Sequence, residues 1–227
     1  MEKETHGTLY IVGTPIGNLK DITLRAIETL KNVDLIAAED TRHTRKLTSH
    51  YNIKTPLISY FEHNKVTRGS YLIKLLRDGK DVALVSDSGT PGISDPGYYI
   101  IKLAIENDIS LTALPGPTAL VVGLVLSGMV SSRFIFEGFL SSKRSQRKNR
   151  LREFVREERP VVIYESPHRL VKMLEDVLEV LGDRRIACAR ELTKKFEEVR
   201  RGRVSEIIGH FTKTIPKGEF VIAIGPD

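Results

Sequence analysis

Apolar residues in this chain follow two rhythms. Short unbroken runs at TLYIV (8–12) and DLIAAE (34–39) predict strands buried on both faces, and PLIS (56–59), DVALVSD (81–87) and SLTAL (110–114) predict further strands. Between them the spacing turns helical. From Asp21, the residues Ile22, Ala26, Ile27, Leu30 and Val33 share one face, with Asp21 placed to cap it. A polar helical stretch follows near Thr41–His50, and Leu72, Leu75 and Leu76 stripe a third helix that Gly79 ends. A fourth helix is predicted from about Asp95 to Asn107. Strands alternating with helices in this way predict an α/β fold with a mostly parallel, doubly wound five-stranded sheet.

Pro115-Gly116-Pro117 is the strongest break, and it divides the chain into expected domains 1–116 and 117–227. The second half opens with an apolar helix over 118–129 and a strand FIFEGF (134–139), followed by a basic helix from about Lys143 to Arg156. Then come strand PVVIYES (160–166), helix Leu170–Leu181 and strand RIACARE (185–191). Phe196–Val204 reads as a β-ribbon turning near Arg201–Gly202, and a short helix and strand EFVIAIG (219–225) close the chain. Strands that follow one another without full crossover helices predict a mixed sheet here.

Composition narrows the class. The 227 residues are 41% hydrophobic and 28% charged, as in an ordinary globular chain able to bury a core without staples. The longest apolar run, Ala119–Val130, falls short of the roughly 20 residues of a membrane span. MEKETHG has no apolar leader region, and the single Cys188 excludes an internal disulfide or a cysteine-based zinc cluster. A cytoplasmic protein without a membrane segment is expected. The net charge of +6 is unevenly placed: Lys143–Arg159 holds eight basic and three acidic residues, and Arg184–Arg203 repeats that ratio, so the remainder is net negative. Two such runs suggest a polyanionic partner.

In open α/β sheets, ligands bind beyond the C-terminal ends of strands. The loops there are Gly13-Thr14-Pro15-Ile16-Gly17-Asn18-Leu19, Ser86 to Gly97, and Pro115-Gly116-Pro117-Thr118-Ala119. Glycines allow tight turns and close approach, and Asp87 is a carboxylate able to accept hydrogen bonds from a ribose or an amine. Familiar motifs fail: Gly13-x-x-x-Gly17 is not a dinucleotide fingerprint, and no P-loop, nucleophile elbow or H-E-x-x-H is present. His43, His50, His63, His168 and His210 are scattered, so no metal site is expected.

GTPIGNL, AAEDTRHTRKL, VSDSGTPGISDPG, LPGPTA, YESPHR and RELTKKFEEVRRG occur in an order that resembles the tetrapyrrole-methylase-like superfamily of S-adenosylmethionine methyltransferases. Within it the chain is most similar to the branch that 2′-O-methylates a cytidine ribose in the decoding region of 16S rRNA. The resemblance runs from about Thr8 to Gly225, without the small helical extension that some members carry after the last strand. It implies S-adenosylmethionine folded between two domains and held by Pro15, Gly17, Asp87, Gly89, Thr90, Ile93, Thr118, Ala119, Tyr164 and Leu192. It also implies a homodimer.

Methylating a ribose hydroxyl requires a proton acceptor or a cation beside the alkoxide. Glu39 and Glu165, each at the end of a predicted strand, are the candidate acceptors, with Arg42, Arg169 and Lys194 steering phosphate or substrate. Lys143, Arg144, Arg147, Lys148 and Arg150 on the basic helix, with Arg200, Arg201 and Arg203 on the ribbon, are the expected grips on RNA of the small ribosomal subunit. Each of these groups is also compatible with a plain ion pair or a solvated face. Three other readings stay open: a tetrapyrrole or diphthine-synthase-like methyltransferase, a non-catalytic RNA-binding assembly factor and, more remotely, a nicotinamide-dependent dehydrogenase.

Overall fold

The structure, a computed structural model, describes residues 6–130 and 132–226. The reading of the first residues as leaderless thus falls largely outside the described ones. The chain divides into two compact units, Met1–Thr118 and Ala119–Asp227. Among the described residues no helix is long and apolar enough to cross a membrane.

The first unit contains strands β1 (Thr8–Val12), β2 (Leu35–Ala38), β3 (Leu57–Ser59), β4 (Val82–Val85) and β5 (Ser110–Leu114). Its helices are α1 (Leu24–Asn32), α2 (Thr41–His50), α3 (Lys65–Arg77) and α4 (Tyr98–Glu106). All strand pairs are parallel, in the order β3-β2-β4-β1-β5, so every strand ends on the same edge. The side-chain period of two explains the unbroken apolar runs. In β4, Val82 and Leu84 join a core with Leu72, Leu76, Ile100 and Ala104. Ala83 and Val85 join another, with Ala26, Leu30 and Leu47. Helices therefore cover both faces.

The second unit begins with α5 (Ala119–Ser127) and carries β6 (Ile135–Phe139), α6 (Arg144–Arg152), β7 (Val161–Glu165), α7 (Leu170–Leu181), β8 (Arg185–Arg190), β9 (Glu198–Arg203), α8 (Val204–Lys213) and β10 (Phe220–Ile224). The sheet order is β6-β7-β10-β8-β9, parallel only between β6 and β7. One face is filled from α6, α7 and α8 by Leu151, Met173, Leu174, Val177, Ile207 and Phe211. α5 packs on β8 and β10 across the other face. Gly123 makes this possible: a Cβ there would stand 2.5 Å from Val221 Cγ1.

Four local expectations are corrected. Asp21 closes a 3-10 turn over Leu19–Asp21, and Thr23 caps α1 by accepting from Ala26 N. α4 starts at Tyr98, since Pro96 disfavours helix at Asp95 before it. α6 stops at Arg152, and residues 153–156 form turns. Phe196–Val204 is not a ribbon turning at Arg201–Gly202: those two pair in register with Ala187 and Ile186, and β9 runs straight through. The reversal lies earlier, in 191–197, where Glu191 (φ 49°) and Thr193 (φ 66°) adopt left-handed backbone.

Candidate functional site

In the first unit, three loops are knitted together at the edge where the parallel strands end. Thr14 N donates to Gly89 O (2.9 Å) and Gly89 N returns a bond to Thr14 O (3.0 Å). The buried Thr14 hydroxyl donates to Ser86 O, and the buried Ser86 hydroxyl donates to Ser88 O and Gly89 O. Gly89 needs φ +78°, a conformation that favours glycine. Gly13 and Gly116 bring the loops after β1 and β5 into backbone contact: a Cβ on Gly116 would lie 3.1 Å from Gly13 Cα. On this edge stand Pro15, half-buried, Gly17, exposed, Asp87 and Thr90, half-buried, and Ile93, 53% exposed. Thr118 closes the unit and is half-buried.

The same edge gathers carboxylates. Asp87 Oδ1 accepts from Asp40 N (3.0 Å), and Glu39 Oε2 accepts from Asp87 N (3.3 Å). Glu39 Oε1 and Asp87 Oδ2 make no hydrogen bond with the described residues. Burial raises the Glu39 pKa; the Asp87 N–H opposes this, and the charges of Asp95, Asp87 and Asp40 add to it. Asp40 behaves oppositely. Hydrogen bonds from the Arg42 side chain and backbone hold its pKa at about 2, while it caps α2. Arg42 is paired with Asp40 at 2.8 Å yet projects into solvent, its side chain 86% exposed.

The remaining candidates belong to the second unit. The Tyr164 hydroxyl accepts from Leu120 N (2.9 Å), tying β7 to the first turn of α5 beside the half-buried Ala119. Its ring meets Phe136 and Phe139 edge-on. Leu192 is buried.

Glu165 requires a correction. Its side chain is fully enclosed, with Oε1 accepting from Ser166 N and Oε2 3.2 Å from Arg169 Nη2 in an ion pair that lacks hydrogen-bond alignment. Burial raises its pKa against the Ser166 N–H and the charges of Arg169 and Arg147. A carboxylate so enclosed is a counter-ion inside the unit, not an acceptor open to a substrate hydroxyl. Arg169 also donates to Leu140 O, which fixes the loop after β6, and Lys194 is spent on Glu191 and Glu219.

The basic helix is largely engaged in ion pairs. Arg147 is buried and clamps Asp176, itself fully enclosed, through Nε (2.8 Å) and Nη2 (2.6 Å). Arg144 shares Asp176 and reaches Glu179, Lys148 also pairs with Glu179, and Arg150 grips Glu137 with two bonds of 2.7 Å. Lys143 is exposed and forms no ion pair among the described residues. On β9, Arg200 pairs with Glu198, whereas Arg201 and Arg203 donate to the carbonyls of Leu126 and Asp183. Asp176, which governs this side of the unit, was missed. Its only trace in the sequence is an acid within the otherwise apolar stripe of Leu170–Leu181.

Comparison with known proteins adds the chemistry. The family model of tetrapyrrole (corrin/porphyrin) methylases matches residues 8–208. "Ribosomal RNA small subunit methyltransferase I" of Synechocystis sp. is 51% identical over 96% of this chain and 78% of its own. The protein of the same name from Thermotoga maritima is 49% identical over 96% of this chain and 98% of its own. Among solved structures, uroporphyrin-III C-methyl transferase from Thermus thermophilus, complexed with S-adenyl homocysteine, aligns with a TM-score of 0.68. That match is 19% identical and covers 96% of this chain and 97% of the other.

Proposed function

Because this chain belongs to the tetrapyrrole methylase family and is an S-adenosylmethionine-dependent methyltransferase, we propose that it methylates 16S rRNA of the small ribosomal subunit, at the ribose 2′-oxygen of a cytidine in the decoding region. The observation that carries the substrate is the 51% identity, over nearly the whole chain, to a protein named for small-subunit ribosomal RNA. The reaction takes place in the cytoplasm, where ribosomal subunits are assembled. The enzyme acts as a homodimer, consistent with the exposed Val121 and Val125 one turn apart on α5.

The edge of the first sheet suits the cofactor. Gly13, Gly89 and Gly116 let main chain, rather than side chain, form the surface there, and Asp87 Oδ2 is open to a hydroxyl or an amine. Pro15, Gly17, Asp87, Gly89, Thr90, Ile93 and Thr118 of the first unit, with Ala119, Tyr164 and Leu192 of the second, are the residues assigned to hold S-adenosylmethionine. When bound, S-adenosylmethionine supplies an electrophilic methyl group on a positively charged sulfur. Glu39 takes the proton of the ribose hydroxyl at Oε1, and its raised pKa makes it a stronger base than an ordinary carboxylate. Arg42, exposed beside it, steers the adjoining phosphate.

The substrate is tested by offering labelled S-adenosylmethionine to small subunits lacking the modification, to large subunits and to a uroporphyrinogen. Label is expected in small subunits alone, and label in the tetrapyrrole would overturn the reading. Glu39→Gln is expected to lower kcat by about 10²-fold or more with little change in S-adenosylmethionine affinity. Because Glu39 must be ionised to accept a proton, the wild-type kcat falls as pH drops through a pKa above the usual carboxylate range. The variant loses that limb of the pH profile.

A further inference from the structure

An open groove of about 1140 Å³ lies in the second unit, at the end of the sheet where β8 begins and β9 and β10 finish. Arg184, Arg185, Arg201 and Arg203 line it, over apolar surface from Met129 and Val130. Glu165 stands opposite Phe220 at the other end of β10, so the groove is about five residues, roughly 17 Å, from the Tyr164–Glu165 end of the sheet.

Three features of this groove are not explained by folding. Arg185 and Arg203 sit directly opposite each other in the β8–β9 register, and like charges so placed destabilise a sheet. Period two places Arg201 on the same face as Arg203. These guanidiniums donate to neutral groups, although the Asp183 carboxylate lies close enough to Arg203 for their charges to attract. Arg201 donates to Leu126 O, Arg203 to Asp183 O, and Arg184 to Phe154 O and Val155 O, all uncharged carbonyls. The Arg185 side chain is exposed and makes no hydrogen bond or ion pair with the described residues. Third, Arg184 is only 3% exposed, yet its Nε has no hydrogen-bond partner, although a buried polar donor normally finds one.

Two carboxylates border the groove, and one of them, Glu206, already accepts from Arg203 N (2.8 Å). Four guanidiniums against two carboxylates leave a positive trough too large and open for a small metabolite. Fixed arginines beside apolar surface suit a phosphodiester strand, with phosphates on the guanidiniums and sugar or base on Met129 and Val130.

We propose that this groove is a second RNA-binding site, which grips the backbone of small-subunit RNA away from the nucleotide that is methylated. The proposal rests on the function given above for its substrate. Its contacts are to phosphate, so they add affinity and orientation but no base choice.

The test uses the full chain, with binding of 16S rRNA and of unmodified small subunits measured over a range of salt and methyl transfer measured separately. Arg185→Glu is expected to weaken RNA binding roughly tenfold at low salt and to reduce the slope of log affinity against log salt by about one. It should raise KM for subunits more than it lowers kcat, and leave S-adenosylmethionine affinity unchanged. Arg185→Lys should restore most of the loss. Arg185→Glu/Arg201→Glu should deepen it, but Arg185→Glu alone decides, because Arg201 also holds α5. Unchanged affinity and slope in Arg185→Glu, with wild type binding normally, would overturn the groove and leave the function standing. Wild type that binds RNA without methylating it would overturn the function, and the same variants would still judge the groove. Wild type that binds no RNA would overturn both.

Discussion

The two basic runs are alike in sequence, eight positive against three negative residues in each, yet the fold uses them differently. In α6 the charges face carboxylates: Asp176 takes two arginines, Glu179 takes Arg144 and Lys148, and Glu137 takes Arg150. At the β8–β9 end, Arg184, Arg201 and Arg203 donate to carbonyls, with the Asp183 carboxylate near Arg203, and the Arg185 guanidinium has no partner among the described residues. A carboxylate cancels the field of an arginine, whereas a carbonyl orients it and leaves the charge available. A run of basic residues is therefore an RNA surface only where its partners are neutral. By that criterion, α6 is chiefly a structural brace and the groove is the stronger site.

The largest effect is expected where the brace is buried. Asp176→Ala leaves Arg147 enclosed without its counter-ion, and breaking such a pair costs about 3–5 kcal/mol. In a chain of this size the melting temperature should fall by roughly 6–20 °C. Arg185→Ala should shift it by a degree or two at most, within the usual ~0.5 kcal/mol of an exposed site. Equal melting temperatures for the two variants would break the comparison. Charge reversal of Lys143 and Arg144 comes next. With Arg144 already paired, RNA affinity should fall about threefold or less, well short of Arg185→Glu. A larger loss than that of Arg185→Glu, read by filter binding at matched salt, would return the RNA surface to α6. The smallest effect sharpens the point: Glu179→Gln frees Lys148 and leaves Arg144 paired with Asp176 alone, and should raise RNA affinity by up to about threefold.

Much of the fold was legible because burial imposes periodicity. Leu170, Met173, Leu174, Val177 and Leu181 recur at helical spacing, and α7 spans the predicted residues. The apolar β4 reads as a strand covered on both faces because it is one. What was not legible depends on partners distant in sequence. Asp176 lies 29 residues from Arg147, and nothing local to α6 reveals that its charge is already satisfied. The β8–β9 reversal escaped because Glu191 and Thr193, neither a typical turn former, take left-handed backbone, while Gly202 drew attention to the wrong place. Gly202 instead makes room for Glu206, whose Oε2 would stand 2.5 Å from an added Cβ. For the candidate site, glycine loops and carboxylates were visible as residue types. The approach of Gly13 to Gly116, and the enclosure that separates Glu165 from Glu39, were not.

The central claim is tested most directly by identifying the methylated nucleoside. Small subunits from cells lacking the modification are incubated with this chain and labelled S-adenosylmethionine, the RNA is digested, and the nucleosides are resolved by mass spectrometry. The account predicts 2′-O-methylcytidine, formed by wild type and sharply reduced in Glu39→Gln. A methyl group on a base, or on the ribose of another nucleoside, would contradict it.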